Sequence, residues 1–105
     1  MIRADFTRTE DKLTGFALRG HAGYDDFGKD IVCASVTSAV QLTANAITEV
    51  LKVKADVQVL DNQIRLKLPT NCQQEAIHFM DALLLHLEIL SEDYEGTIKV
   101  KVSEV

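Results

Sequence analysis

Two side chains in this sequence can do covalent chemistry together: the thiol of Cys33 and the imidazole of His21, twelve residues earlier. A thiol becomes a strong nucleophile when its thiolate is stabilised, and the partial positive charge of a helix N-terminus supplies part of that stabilisation. Asp30 is of a helix-capping type and an apolar stripe follows it, so the spacing predicts a helix over about 31 to 53 with Cys33 at its third position. There the sulfur would lie among the free N–H groups of the first turn, which could also receive the oxyanion of an attacked carbonyl. His21 stands at the far end of the run GHAGYDDFGKD, residues 20–30, which holds three of the five glycines and reads as a loop joining a strand to a helix. Folded back over the helix start, that loop would bring a general base to the thiol. The plain alternative stands beside this reading. Free cysteine is among the most buried residue types, a loop histidine is commonly a solvated group, and spacing alone does not decide between the two.

Several neighbours bear on the same chemistry. Gly20, Gly23 and Gly28 ease unusual backbone angles, which would let the loop open for a peptide and close on the sulfur. Tyr24 and Phe27 either line a pocket for an aromatic side chain or anchor the loop on the core. Asp30 would both cap the helix and orient His21, and Thr37 keeps a hydroxyl one turn beyond Cys33 on the same side of the helix. Cys72, at the expected start of the second helix, has no preceding loop histidine and reads as a structural or surface thiol. His78 and His86 accompany Glu75 and Asp81 on what looks like a solvated helix face. No zinc, Walker or dinucleotide spacing occurs, so neither metal nor cofactor is expected.

The elements that must position these residues follow from hydropathy. Residues 2 to 8 and 14 to 19 alternate around a polar turn at Glu10 to Lys12, giving a hairpin with Ile2, Ala4, Phe6, Phe16 and Leu18 inward. After the loop, Val32, Val36, Val40, Ile47 and Leu51 form one helical stripe. A second hairpin turns at Asp61 and Asn62 and ends at Pro69. Thr70 or Asn71, with Gln73 or Gln74, resembles a capping box for a second helix carrying Ile77, Met80, Leu83, Leu84, Leu87 and Leu90 inward. Ile98, Val100 and Val102 mark a closing strand. The expected fold is therefore an α+β two-layer sandwich, a five-stranded mostly antiparallel sheet with two helices on one face, in the order β-β-α-β-β-α-β. Without its first strand that order is the split βαβ arrangement. The uncovered sheet face would carry Arg3, Arg19, Arg65, Lys67, Lys99 and Lys101.

Length and composition bound the rest. A chain of 105 residues and 11.6 kDa is one domain, residues 1–105, able to hide about 65% of its unfolded surface without metals or disulfides. A net charge of -5 argues against the whole molecule acting as an electrostatic trap for nucleic acid. The start MIRADFTRTE lacks the pattern of an export signal and the chain has two cysteines, which points to a reducing cytoplasm. The longest apolar runs are four residues, so no membrane span is expected.

The strings Gly20-His21-Ala22-Gly23-Tyr24 and Gly28-Lys29-Asp30-Ile31-Val32-Cys33-Ala34 resemble the two signature motifs of the ribosomal-processing cysteine protease Prp family. Length, element order and motif placement match as well, so the resemblance covers essentially the whole chain. It implies a catalytic dyad of His21 and Cys33. It also implies a substrate, the N-terminal extension of the large-subunit ribosomal protein L-twenty-seven, cut just after an aromatic residue, and a homodimer. The small-residue run after the cysteine reads Ala34, Ser35, Val36, Thr37, Ser38 here, where many relatives end it in serine. From the residues themselves a rival reading is a non-catalytic RNA- or protein-binding module of ribosome assembly using the basic sheet face. The absence of aromatics from that face weakens it, because RNA-recognition sheets stack bases on exposed rings. For a protease no direct nucleic acid is required.

Overall fold

The computed structural model describes residues 1–20 and 27–105, with the side chains of all of these except 27–30. Strands β1 (Ile2–Thr9) and β2 (Lys12–Arg19) pair as an antiparallel hairpin. Glu10 and Asp11 turn it with φ of 51° and 65°, the left-handed pair whose twist matches that of the flanking strands. Helix α1 (Phe27–Asn45) runs on into one π-helical turn, Ala46–Val50. Strands β3 (Asp56–Leu60) and β4 (Gln63–Lys67) form the second hairpin, followed by α2 (Gln74–Asp93) and β5 (Ile98–Glu104). The expected order and the two-layer α+β architecture are thus what is observed.

The sheet runs β3-β4-β2-β1-β5, antiparallel throughout except for the parallel pair β1 and β5. Without β1 the remaining strands stand in the order β3-β4-β2-β5, the expected split βαβ arrangement. The periodicity left open where the first strand sits: it is inserted between β2 and β5. Alternation shows which face of a strand is buried and says nothing about which strands sit at the edges. Ile2, Ala4 and Phe6 are almost fully buried, and β1 is hydrogen-bonded along both sides, as its interior place requires.

The core lies between sheet and helices. Phe6 packs on Phe16 with ring centroids 5.9 Å apart, and Leu13, Leu66, Ile47, Met80 and Leu87 close around them. From α1 come Val32, Val36 and Val40, and from α2 Ile77, Leu83 and Leu84, the inward stripes that the periodicity predicts. Ile31–Val50 is by length and composition apolar enough to cross a bilayer, which a count of uninterrupted apolar residues does not reveal. In the fold it is a core helix, with Val32, Val36, Val40 and Ile47 buried in the core.

Both helix starts depart from expectation. Helix α1 begins at Phe27, so Asp30 is its fourth residue and not its cap; another capping-type residue, Asp26, immediately precedes Phe27 in the sequence. In α2 neither Thr70 nor Asn71 caps. The N-cap is Gln73, and its amide instead donates to the Leu51 carbonyl at 3.1 Å, tying the chain to the end of the first helix. Cys72 therefore precedes α2, half-buried against the core. At the far edge, Val57 and Val59 share the helix-side face with Leu66 and Ile64, yet Val59 stays 74% exposed. The helices do not reach β3, and a recess remains between that strand and α1.

Candidate active site

Cys33 occupies that recess. A cleft of about 320 Å³ lies between α1 and the sheet, with Cys33, Thr37 and Gln41 among its lining residues on the helix and Leu18, Val59 and Ile64 on the strands. The three helix residues are spaced four apart, so they line one face of α1, turn after turn. Cys33 is half-buried and free, while Thr37 is exposed. Such a wall offers a thiol, a hydroxyl and a carboxamide in a row, opposite a largely apolar one.

Gly20 stands at the lip of the same cleft. Its N–H donates to the Asn62 carbonyl at 3.0 Å, fixing the end of β2 to the β3–β4 turn. Its φ is +76°, and a Cβ there would lie 2.7 Å from the Met1 carbonyl oxygen, so only glycine fits. The next residue in the chain is His21. Replacing Gly20 with alanine is expected to lower kcat/KM by about 10²-fold by displacing His21, with the protein still folded. Unchanged kinetics alongside a lowered Tm would mean that Gly20 serves the hairpin only.

His21, Ala22, Gly23 and Tyr24 lie outside the described residues, as do the side chains of Phe27 and Asp30, and with them the expected loop closure, aromatic pocket and orienting carboxylate. One expectation changes. With α1 starting at Phe27, Cys33 is its seventh residue, two turns in, where its amide belongs to the helix ladder and is not one of the free first-turn donors. Residue typing alone did not single out Gln41, Val59, Asn62 or Gln63. For Gln41 a signal existed, its place four residues beyond Thr37. For the others none did, because they reach the cleft only through strand order.

Elsewhere the candidates separate. Cys72 lines a different hollow with Leu68 and Ile77, and His78 and His86 are exposed on α2. Among the described residues no cluster of three metal-ligating side chains occurs.

Comparison with known proteins matches residues 1–99 to the family described as "Cysteine protease Prp". The "Ribosomal processing cysteine protease Prp" of Bacillus subtilis is 28% identical over 95% of this chain and 96% of its own, and that of Staphylococcus aureus is 28% identical over 95% and 97%. Among solved structures, SMU.848 from Streptococcus mutans superposes with a TM-score of 0.90 at 26% identity, covering 100% of this chain and 96% of that one. The essential ribosomal processing protease Prp of S. aureus, in complex with a covalently linked product peptide, superposes at 0.88 with 25% identity over 98% and 100%.

Proposed function

This chain belongs to the cysteine protease Prp family and is a cysteine protease; from that premise we propose that it removes the N-terminal extension of ribosomal protein L-twenty-seven, in the cytoplasm, through a dyad of Cys33 and His21. The observation that carries the reading is the cleft itself: a half-buried thiol on one wall, and at the lip the glycine that His21 follows. That a relative holds its product peptide covalently supports nucleophilic catalysis here.

In this mechanism His21 accepts the Cys33 proton as the sulfur attacks the scissile carbonyl. A C–S bond forms, the carbonyl becomes an oxyanion, and the C–N bond breaks as His21 returns the proton to the leaving amine. Water, deprotonated by His21, then attacks the thioester and releases the acid and the thiol. Because the Cys33 amide is committed to the helix, Thr37 and Gln41 are the groups along this wall suited to donate to the substrate backbone. The apolar wall of Leu18, Val59 and Ile64 suits the aromatic residue before the scissile bond. Asp30, in the first turn of α1, is an orienter for His21, and Tyr24 and Phe27 add to the pocket.

Mass spectrometry of an extended N-terminal L-twenty-seven peptide incubated with this protein tests the reading. One cut after an aromatic residue is expected; no cut by folded, reduced protein would overturn it.

The protein functions as a homodimer paired through its helix layer. Leu42 is 70% exposed there, and it shares a groove of about 780 Å³ between α1 and α2 with Phe79 and the small side chains Ala34, Ser35 and Ser38. Light scattering should give twice 11.6 kDa, and Leu42→Lys should return it to the monomer mass. A monomer at high concentration would refute the pairing.

A further inference from the structure

The face of the sheet turned away from the helices has a charge pattern that the protease chemistry does not use. Arg3 stands directly opposite both Arg19 on β2 and Lys99 on β5, three cations abreast in one cross-strand row. One step along each strand the row reads Lys101, Asp5, Ala17, Arg65, and the next adds Lys67 between Gly15 and Asp56. All six cations are exposed, and the carboxylates interleaved with them are Asp5 and Asp56. Arg19 pairs with Asp5 at 3.9 Å and Asp56 stands directly opposite Lys67, which leaves Arg3, Lys99, Lys101 and Arg65 in excess.

Like charges directly opposite each other in a sheet destabilise it. Nothing among the described residues covers these rows, and the row of Arg19, Arg3 and Lys99 sets like charges side by side. The concentration is also local, because the chain as a whole carries -5 while α2 holds Glu75, Asp81, Glu88, Glu92 and Asp93. The cations span β4, β2, β1 and β5, three strand spacings or roughly 14 Å, and in the rows of Arg65 and Lys67 the facing positions on β2 are small. Gly15 and Ala17 stand there, and Gly15 has to be small, since a Cβ would meet the Leu66 carbonyl at 2.7 Å.

We propose that this face docks the phosphate backbone of double-stranded RNA, apart from the protease cleft and without reading sequence. Rows of exposed cations running across four adjacent strands suit a duplex backbone that presents closely spaced phosphates. Among the described residues no aromatic ring is exposed on the face, so stacking of unpaired bases has no platform there. Two such faces would repel each other, so pairing of two copies through this face is disfavoured. The choice of RNA over DNA rests on the ribosomal substrate proposed above, whereas the charge argument does not.

The test is fluorescence anisotropy of a labelled RNA duplex of about 20 base pairs and arbitrary sequence, titrated with the full chain from about 50 to about 200 mM salt. Binding should weaken steeply as salt rises. The triple variant Arg3→Ser, Lys99→Ser, Lys101→Ser should bind at least about tenfold more weakly at about 100 mM salt, with the slope of log K against log salt reduced by about 2 to 3. Lys52→Ser with Lys54→Ser, off this face, should leave both unchanged. Should the triple variant fail to fold, Lys101→Ser alone should still reduce the slope by about 1. Absence of binding at about 50 mM salt, an equal loss in the off-face variant, or tighter binding to a DNA duplex or to polyaspartate would overturn the proposal. Peptide cleavage by the triple variant should match that of the unmodified protein. The two readings fail separately, since a chain that cuts nothing can still bind RNA and the reverse.

Discussion

Cys33→Ala is expected to reduce cleavage of the L-twenty-seven peptide by about 10⁴-fold or more, to the limit of detection, because no other group on the cleft wall can form the acyl-enzyme. Thr37 and Gln41 can position a peptide but cannot replace a thiol at neutral pH. Since Cys33 is only half-buried, the variant should keep its fold, with a Tm within a few degrees of the parent. His21→Gln should lose activity to a similar extent, because nucleophile and base act as one unit and their effects do not add. Cys72→Ala is the control: its sulfur lies in another hollow, and cleavage should persist. Cleavage retained by Cys33→Ala, or lost equally in Cys72→Ala, would remove the assignment of the nucleophile.

The second large effect concerns stability. Phe6 is fully buried on the interior strand β1 and packs against Phe16 at 5.9 Å, so Phe6→Ala leaves a cavity that neither neighbouring strand can close. The expected cost is about 3–5 kcal/mol, a large share of the stability of a domain of this size. By thermal denaturation the Tm should fall by more than about 10 °C. A fall of only a few degrees would mean that the sheet and α2 collapse onto the vacancy. Activity should be lost by unfolding and not by a change at the cleft, so a measurement well below the new Tm should recover kcat/KM.

The difference between these two variants reflects what each link of the chain from sequence to site could reveal. Phe6 was legible as core because it alternates with Arg3, Asp5 and Thr7, and a period of two has one buried face whatever the strand order. In the same way Val32, Val36 and Val40 announce the buried stripe of α1. The ends of helices were less legible, because several residues of capping type compete and a long-range contact decides among them. Gln73 donates to Leu51, on another element, and Thr70 and Asn71 are left outside α2. Likewise α1 begins four residues before Ile31, which moves Cys33 from the first turn to the ladder and shifts backbone stabilisation of the oxyanion to other groups on the cleft wall.

By itself, then, the sequence determined the element order, the inward faces, the pair of motifs carrying His21 and Cys33, and the identity of the six cations on the outer face. These are local properties, written in periodicity and in residue type. Only the tertiary structure decided that β1 is inserted between β2 and β5, that β3 lies at an edge beyond the reach of the helices, and that Gly20, Val59 and Gln41 share one cleft with Cys33. The physical reason is that a strand's pattern specifies what it buries but not its neighbour. Neighbours are chosen by long-range backbone pairing and by the packing of two helices over five strands, and a cleft forms where that covering stops.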